Sequence, residues 1–154
     1  MNITTTGARF LVTGSDYCHP KTIVATGAVN IINGNTTLSS TDDGIHSDAS
    51  ITISGGNNLI SAVSTTSGVG EGVEAPIINF SGGITNVTAS NDGINTTYGT
   101  VSGGTESNDN SQLNISGGIL IVAGKDAIDS NGNITITGGT TIVCGVTNSP
   151  EEGL

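Results

Sequence analysis

The chain has 154 residues and a formal net charge of -10, from 13 acidic side chains against 3 basic ones, so it lacks the electropositive face that nucleic acid or an anionic membrane surface requires. Hydrophobic residues make up 34% and aromatic residues 3%, beside 24 glycines. That excludes a thick globular core and suits stacked units that each bury a narrow aliphatic strip.

Residues 1–27 carry little regularity; Arg9 to Val12 and Thr22 to Ala25 are expected to form one irregular N-terminal coil or cap. Met1 is followed by Asn2, Ile3 and Thr4 rather than by a basic and then apolar leader, which reads as a mature or trimmed chain. From residue 28 to 146 the sequence repeats. Asn-Gly or Gly-Gly pairs set anchors at Gly34, Gly56, Gly83, Gly118 and Gly139, about 21 to 22 residues apart except at two longer steps. Five residues before each anchor stand Val29, Ile51, Ile78, Leu113 and Ile134, and three before stand Ile31, Ile53, Phe80, Ile115 and Ile136. Asn30, Thr52, Asn79, Asn114 and Thr135 separate them, an in-out alternation that predicts half-buried strands. Leu38, Ile60, Val87, Val122 and Val143, four past the anchors, predict a second strand in each unit.

The pattern predicts an all-β fold, a right-handed parallel β-helix of about five coils, each made of strand, glycine turn, strand and acidic turn. The longer steps, Val63 to Gly70 and Tyr98 to Ser111, are expected to bulge as loops, and residues 147–154 to form a C-terminal tail. Cys18 and Cys144 fall near opposite ends of such a stack, which favours two buried free thiols over a disulfide. Asn-x-Ser/Thr triplets at Asn2, Asn35, Asn86, Asn95, Asn114 and Asn133 fall largely on the strand alternation, where a structural role outweighs glycosylation. No stretch approaches the roughly 20 apolar residues of a membrane-spanning helix, so membrane insertion is not expected.

The second turn has its own repeat: Asp42-Asp43-Gly44-Ile45, Glu71-Gly72-Val73-Glu74, Asn91-Asp92-Gly93-Ile94 and Lys125-Asp126-Ala127-Ile128-Asp129. In register, Asp43, Glu71, Asp92 and Asp126 make one column of carboxyls about 4.8 Å apart, which repel unless something compensates. Calcium takes six to eight oxygens at about 2.3–2.6 Å and can bridge two such levels. Asp42, Asp48, Glu74, Asn91 and Asp129 are candidates for its remaining ligands, and the all-oxygen set disfavours zinc or copper. The alternative is a solvated acidic edge with no ion.

Asp42 to Asp48 (Asp-Asp-Gly-Ile-His-Ser-Asp), Asn91 to Asn95 and Asp126 to Thr140 resemble the carbohydrate-binding, calcium-containing parallel β-helix proteins related to the polysaccharide lyases. The resemblance covers roughly residues 19 to 148. It implies an extracellular or cell-surface protein, calcium at Asp43, Glu71, Asp92 and Asp126, and a polysaccharide partner such as cellulose or a pectic polymer. The chain departs from the family in being short and in having Lys125-Asp126-Ala127 where Gly-Asp-Gly is usual.

No catalytic residue is assigned. A pectic lyase needs a base beside the cation, and Lys125 fits better as a charge partner of Asp126 and Asp129. His46 and His19 lack a nucleophile constellation. The favoured reading is a calcium-dependent polysaccharide-binding module that takes an acidic or pectic glycan, because Tyr17 and Tyr98 are the only tyrosines and no tryptophan offers a flat platform for cellulose. The alternatives are a self-assembling β-helix joined end to end through unpaired strand edges and, below it, a pectate-lyase-like enzyme. An ice-binding column of Thr36, Thr85 and Thr141 is the weakest, since Asn58 and Leu120 interrupt it.

Overall fold

A computed structural model describes residues 2–3, 8–12, 21–99 and 108–145. The protein is all-β, with no helix among the described residues. Its strands are β1 (Asn2–Ile3), β2 (Ala8–Val12), β3 (Ile23–Ala25), β4 (Val29–Ile31), β5 (Asn35–Ser40), β6 (Ile45–Ser47), β7 (Ser50–Ile53), β8 (Asn57–Ala62), β9 (Val73–Glu74), β10 (Ile77–Ala89), β11 (Ile94–Thr96), β12 (Gln112–Ala123), β13 (Ile128–Ser130), β14 (Asn133–Ile136) and β15 (Thr140–Cys144). Ten belong to one sheet, and the short β3, β6, β9, β11 and β13 form a second of five strands. Every pairing among them is parallel.

The pairing follows the repeat read from the sequence. Val29, Ile51, Ile78, Leu113 and Ile134 are register partners from circuit to circuit, and so are Leu38, Ile60, Val87, Val122 and Val143. Their burial makes the core: Ile31, Leu38, Ile51, Ile53, Ile60, Ile78, Leu113 and Ile115 are fully buried, each worth roughly 1.5–3 kcal/mol relative to exposure. Phe80 is the one aromatic residue of that core among the described residues. All five anchor glycines turn the corner at positive φ, from 77° at Gly83 to 94° at Gly34, a region that a Cβ resists. At Gly56 a Cβ would also lie 2.5 Å from the Gly34 carbonyl oxygen of the previous circuit.

The structure departs from the expectation in several places. The segment after each acidic turn is a strand of its own, so a circuit has three strands rather than two. The polar column Thr36, Asn58 and Thr85 faces inward and is buried together with Leu120, which removes the ice-binding surface. Cys144 is a free thiol as expected, but exposed rather than buried; Cys18 lies outside the described residues. The last circuit breaks the burial pattern: Ile134, Ile136 and Val143 stand 38%, 50% and 36% exposed although their partners one circuit earlier are covered. Among the described residues no strand pairs with β14 or β15 on their far side.

The N-terminal segment continues the register, with β1 on β4, β2 on β5 and β3 on β6. Residues 63–72 connect β8 to β9 without regular strand, as do 97–99 and 108–111 between β11 and β12. The tail 147–154 lies outside the described residues.

Candidate metal and ligand site

The acidic turns stack because the backbone on either side is paired. Ile23, Ile45, Val73, Ile94 and Ile128 are register partners along the short sheet. The residues two places before them therefore form a column of Lys21, Asp43, Glu71, Asp92 and Asp126. One hydrogen bond joins each level to the next: the amides of Thr22, Gly44, Gly72 and Gly93 donate to the carbonyls of Asp43, Glu71, Asp92 and Asp126, at 3.0, 2.9, 2.9 and 2.8 Å. Glycine is needed at the next position because a Cβ at Gly44, Gly72 or Gly93 would lie 2.4–2.6 Å from the carbonyl oxygen of the level below. One residue beyond the isoleucine or valine, a second column runs through Val24, His46, Glu74, Asn95 and Asp129.

At the top of the first column the compensating cation is a side chain. The Lys21 ammonium bonds the Asp43 carboxylate and lies 3.7 Å from Asp42 and 3.9 Å from Glu74. Burial works against that charge, but the bond to Asp43 and the charges of Asp43, Asp42 and Glu74 outweigh it and hold Lys21 above its ordinary pKa. His46 adds contacts of its own, with Nδ1 3.0 Å from Glu74 and 3.3 Å from Asp43 and Nε2 3.2 Å from Asp48. Its burial disfavours the imidazolium, yet Glu74 and Asp48 prevail and raise its pKa. Asp43 is fully buried, and burial lifts its carboxyl above the usual range against the hydrogen bonds from Glu71 and Lys21.

Lower down, carboxyls face carboxyls. Burial, then the hydrogen bond and charge of Asp43, push Glu71 up to about 7, although Asn91 donates to it at 2.8 Å. Burial, then the charges of Asp129, Glu71 and Asp126, push Asp92 up to about 7 against the pull of Lys125. Asn91 reaches both acids, lying 3.2 Å from Asp92. Lys125 lies 3.7 Å from Asp126.

The nine residues singled out from sequence thus fall into distinct groups. Asp42, Asp43 and Glu71 bring carboxylate oxygens within 4.8 Å of one another, and so do Asp43 and Glu74 with a nitrogen of His46. Asn91 ties Glu71 to Asp92, Asp126 continues the column, and Asp129 belongs to the second column. Asp48 stands apart, exposed on the far side of His46. Asp42, Asp43, Glu71, Asn91 and Asp92 carry hard oxygen donors, and the first three are close enough together to hold a cation.

With this geometry in view, comparison with known proteins adds one finding. Residues 1–68 match a family model described as "Carbohydrate-binding domain-containing protein". The match supports carbohydrate binding. It spans less than half the chain, and it includes Lys21, Asp42, Asp43, His46 and Asp48. No curated protein and no solved structure matches the chain.

Lys21 is the residue that sequence reading passed over. Its signal is present: Lys21-Thr22-Ile23 has the spacing of Asp43-Gly44-Ile45, but lysine and threonine replace the acid and the glycine, so the segment does not look like a copy. Glu74 and His46 meet because both lie three places past the column residue, a relation that the parallel register alone creates.

Proposed function

We propose that the protein is an extracellular polysaccharide-binding module, a right-handed parallel β-helix of about five coils whose acidic edge holds calcium and uses it to engage an acidic, pectic type of glycan. The fold reading is supported by the regular passage of the chain between the two parallel sheets, since parallel crossovers are almost always right-handed. Carbohydrate binding is supported by the match over residues 1–68.

The observation that carries the calcium reading is the column of Glu71 and Asp92. Burial and then the neighbouring carboxyls hold both acids up to about 7, against the weaker pull of Asn91 on Glu71 and of Lys125 on Asp92, and a hard cation would relieve that repulsion. At the top level Lys21 already supplies positive charge and His46 contacts the same acids, so Glu71, Asn91, Asp92, Asp126 and Asp129 are the favoured ligands, with Asp43 and Asp42 at the margin. A bound ion there would offer open positions to uronate carboxylates and sugar hydroxyls.

The test is a calorimetric titration of calcium into chelator-treated protein, followed by retention on soluble pectic and neutral polysaccharides with and without the ion. Saturable binding with a raised unfolding midpoint and calcium-dependent retention support the proposal. No heat, no shift and no retention on any polymer would sink it.

The aliphatic strip of β14 and β15, exposed among the described residues, favours a second reading, end-to-end association. Sedimentation velocity at rising concentration tests it: growing oligomers favour assembly, and an unchanging monomer excludes it. A lyase has less support, because Lys21 is engaged by three carboxylates and Lys125 neighbours Asp126.

A further inference from the structure

Beside the acidic edge lies a cleft of about 330 Å³ lined by His46, Asp48, Glu74, Pro76, Thr97 and Tyr98, among others. That volume is at the small end of ligand pockets, which run to about 1,000 Å³, and suits one sugar ring rather than a long segment. One wall is a row of acceptors: His46 lies between Asp48 and Glu74, at 3.2 and 3.0 Å, and so holds both carboxylates in position.

The lining also includes Tyr98, which is 46% exposed and whose backbone is tied down from behind. The Tyr98 amide donates to Asp109 at 2.7 Å and the Thr97 hydroxyl to the same oxygen at 3.3 Å. Thr97 in turn accepts from Asn131 at 3.1 Å and from the Gly99 amide at 2.9 Å. Gly99 closes the turn at a φ of 67°. An aromatic ring on a backbone that is already tied down costs little entropy to use.

We propose that this cleft is a binding subsite for a single neutral pyranose unit, with Tyr98 stacking on the apolar face of the ring and Asp48 and Glu74 accepting hydrogen bonds from adjacent hydroxyls. Hydroxyl-to-carboxylate hydrogen bonds are among the stronger kind, and a ring face against an aromatic side chain supplies the apolar contact. A uronate is disfavoured here. Its carboxylate would meet Asp48, Glu74 and the buried Asp43, while His46 is already shared among these acids and Lys21 is turned to Asp43. This subsite rests on the carbohydrate-binding reading and needs no calcium.

Calorimetry in excess chelator, with cellotetraose, mannotetraose, galactotetraose and tetragalacturonate as probes, tests it on the wild type and on Tyr98→Ala, Tyr98→Phe and Asp48→Asn. The expected result is binding of at least one neutral probe, weakened at least tenfold by Tyr98→Ala and by Asp48→Asn and kept within about threefold by Tyr98→Phe. Both Tyr98 and Asp48 are exposed, so the variants should unfold at the wild-type temperature. Binding of tetragalacturonate alone, or neutral binding indifferent to Tyr98 and Asp48, overturns the subsite and leaves the carbohydrate reading standing. Absence of binding to every probe, with calcium restored as well as without, overturns both.

Discussion

Glu71 and Asp92 hold protons more tightly in the fold than in the unfolded chain, and the sign of that difference decides how stability follows pH. Their folded values, about 7, lie above the ordinary carboxylate range, so folding takes up protons as pH rises from about 4 to 7 and the stability they contribute is lost across that window. His46, also raised, acts in the same sense at the upper end; Asp109, lowered despite some burial by the Tyr98 amide and Ser111, acts oppositely and only in acid. Chelator-treated protein should therefore unfold at a higher temperature at pH 5 than at pH 8, by circular dichroism. Glu71→Gln with Asp92→Asn should flatten the difference, and added calcium should raise the pH 8 value in the wild type alone. Lys21→Met leaves the buried Asp43 without its ammonium and should cost about 2–3 kcal/mol in urea unfolding, with Asp43→Asn in the same chain restoring most of it. The acids of this edge were legible as a column because one residue type recurs at one place in the repeat. Lys21 was not, since a single lysine in a segment lacking the glycine breaks the pattern that made the others visible.

At the scale of elements, the glycine after Asp43, Glu71 and Asp92 is a packing requirement. A Cβ at Gly72 would lie 2.1 Å from Val87 Cγ1 and 2.4 Å from the Gly93 carbonyl oxygen, so Gly72→Ala must shift both, and a cost of about 1–3 kcal/mol is expected in chemical denaturation. Ala127, at the same place one circuit from the end, tolerates its methyl group; Ala127→Gly should cost about 1 kcal/mol or less. The strands flanking the anchor glycines were readable because four to six residues suffice to show alternation. The short sheet was not: Ile45–Ser47 and Ile94–Thr96 have three residues each, too few for a period of two to stand out from the turn before them. The inward face of Thr36, Asn58 and Thr85 follows from the same alternation, since each stands two residues before Leu38, Ile60 or Val87 and shares its side of the strand.

For the whole molecule, each circuit touches only its neighbours, so its stability is that of its contacts above and below. The last described circuit has a neighbour on one side, and its Ile134, Ile136 and Ile142 are exposed. Amide hydrogens of β14 and β15 are expected to exchange faster than those of β7 and the centre of β10, a gradient that hydrogen-exchange mass spectrometry can read and that uniform protection would contradict. The sequence could announce these residues as core, because alternation and register say which way a side chain points. It could not announce their exposure, which depends on whether anything lies beyond them.

The close seating of Gly44, Gly72 and Gly93 against the carbonyls below has a mechanical consequence. The rise from one acidic level to the next is set by backbone contact and by amide hydrogen bonds of 2.8–3.0 Å, not by the carboxylates, so the edge behaves as a stiff gauge. A cation between levels must accept the gap as it stands. Magnesium, which demands oxygens at about 2.0–2.1 Å in a strict octahedron, cannot draw such a gap inward, whereas calcium tolerates longer and less regular contacts. Magnesium at millimolar concentration should accordingly leave the unfolding temperature of the chelated protein unmoved where calcium raises it, so that stiffness itself becomes the source of selectivity.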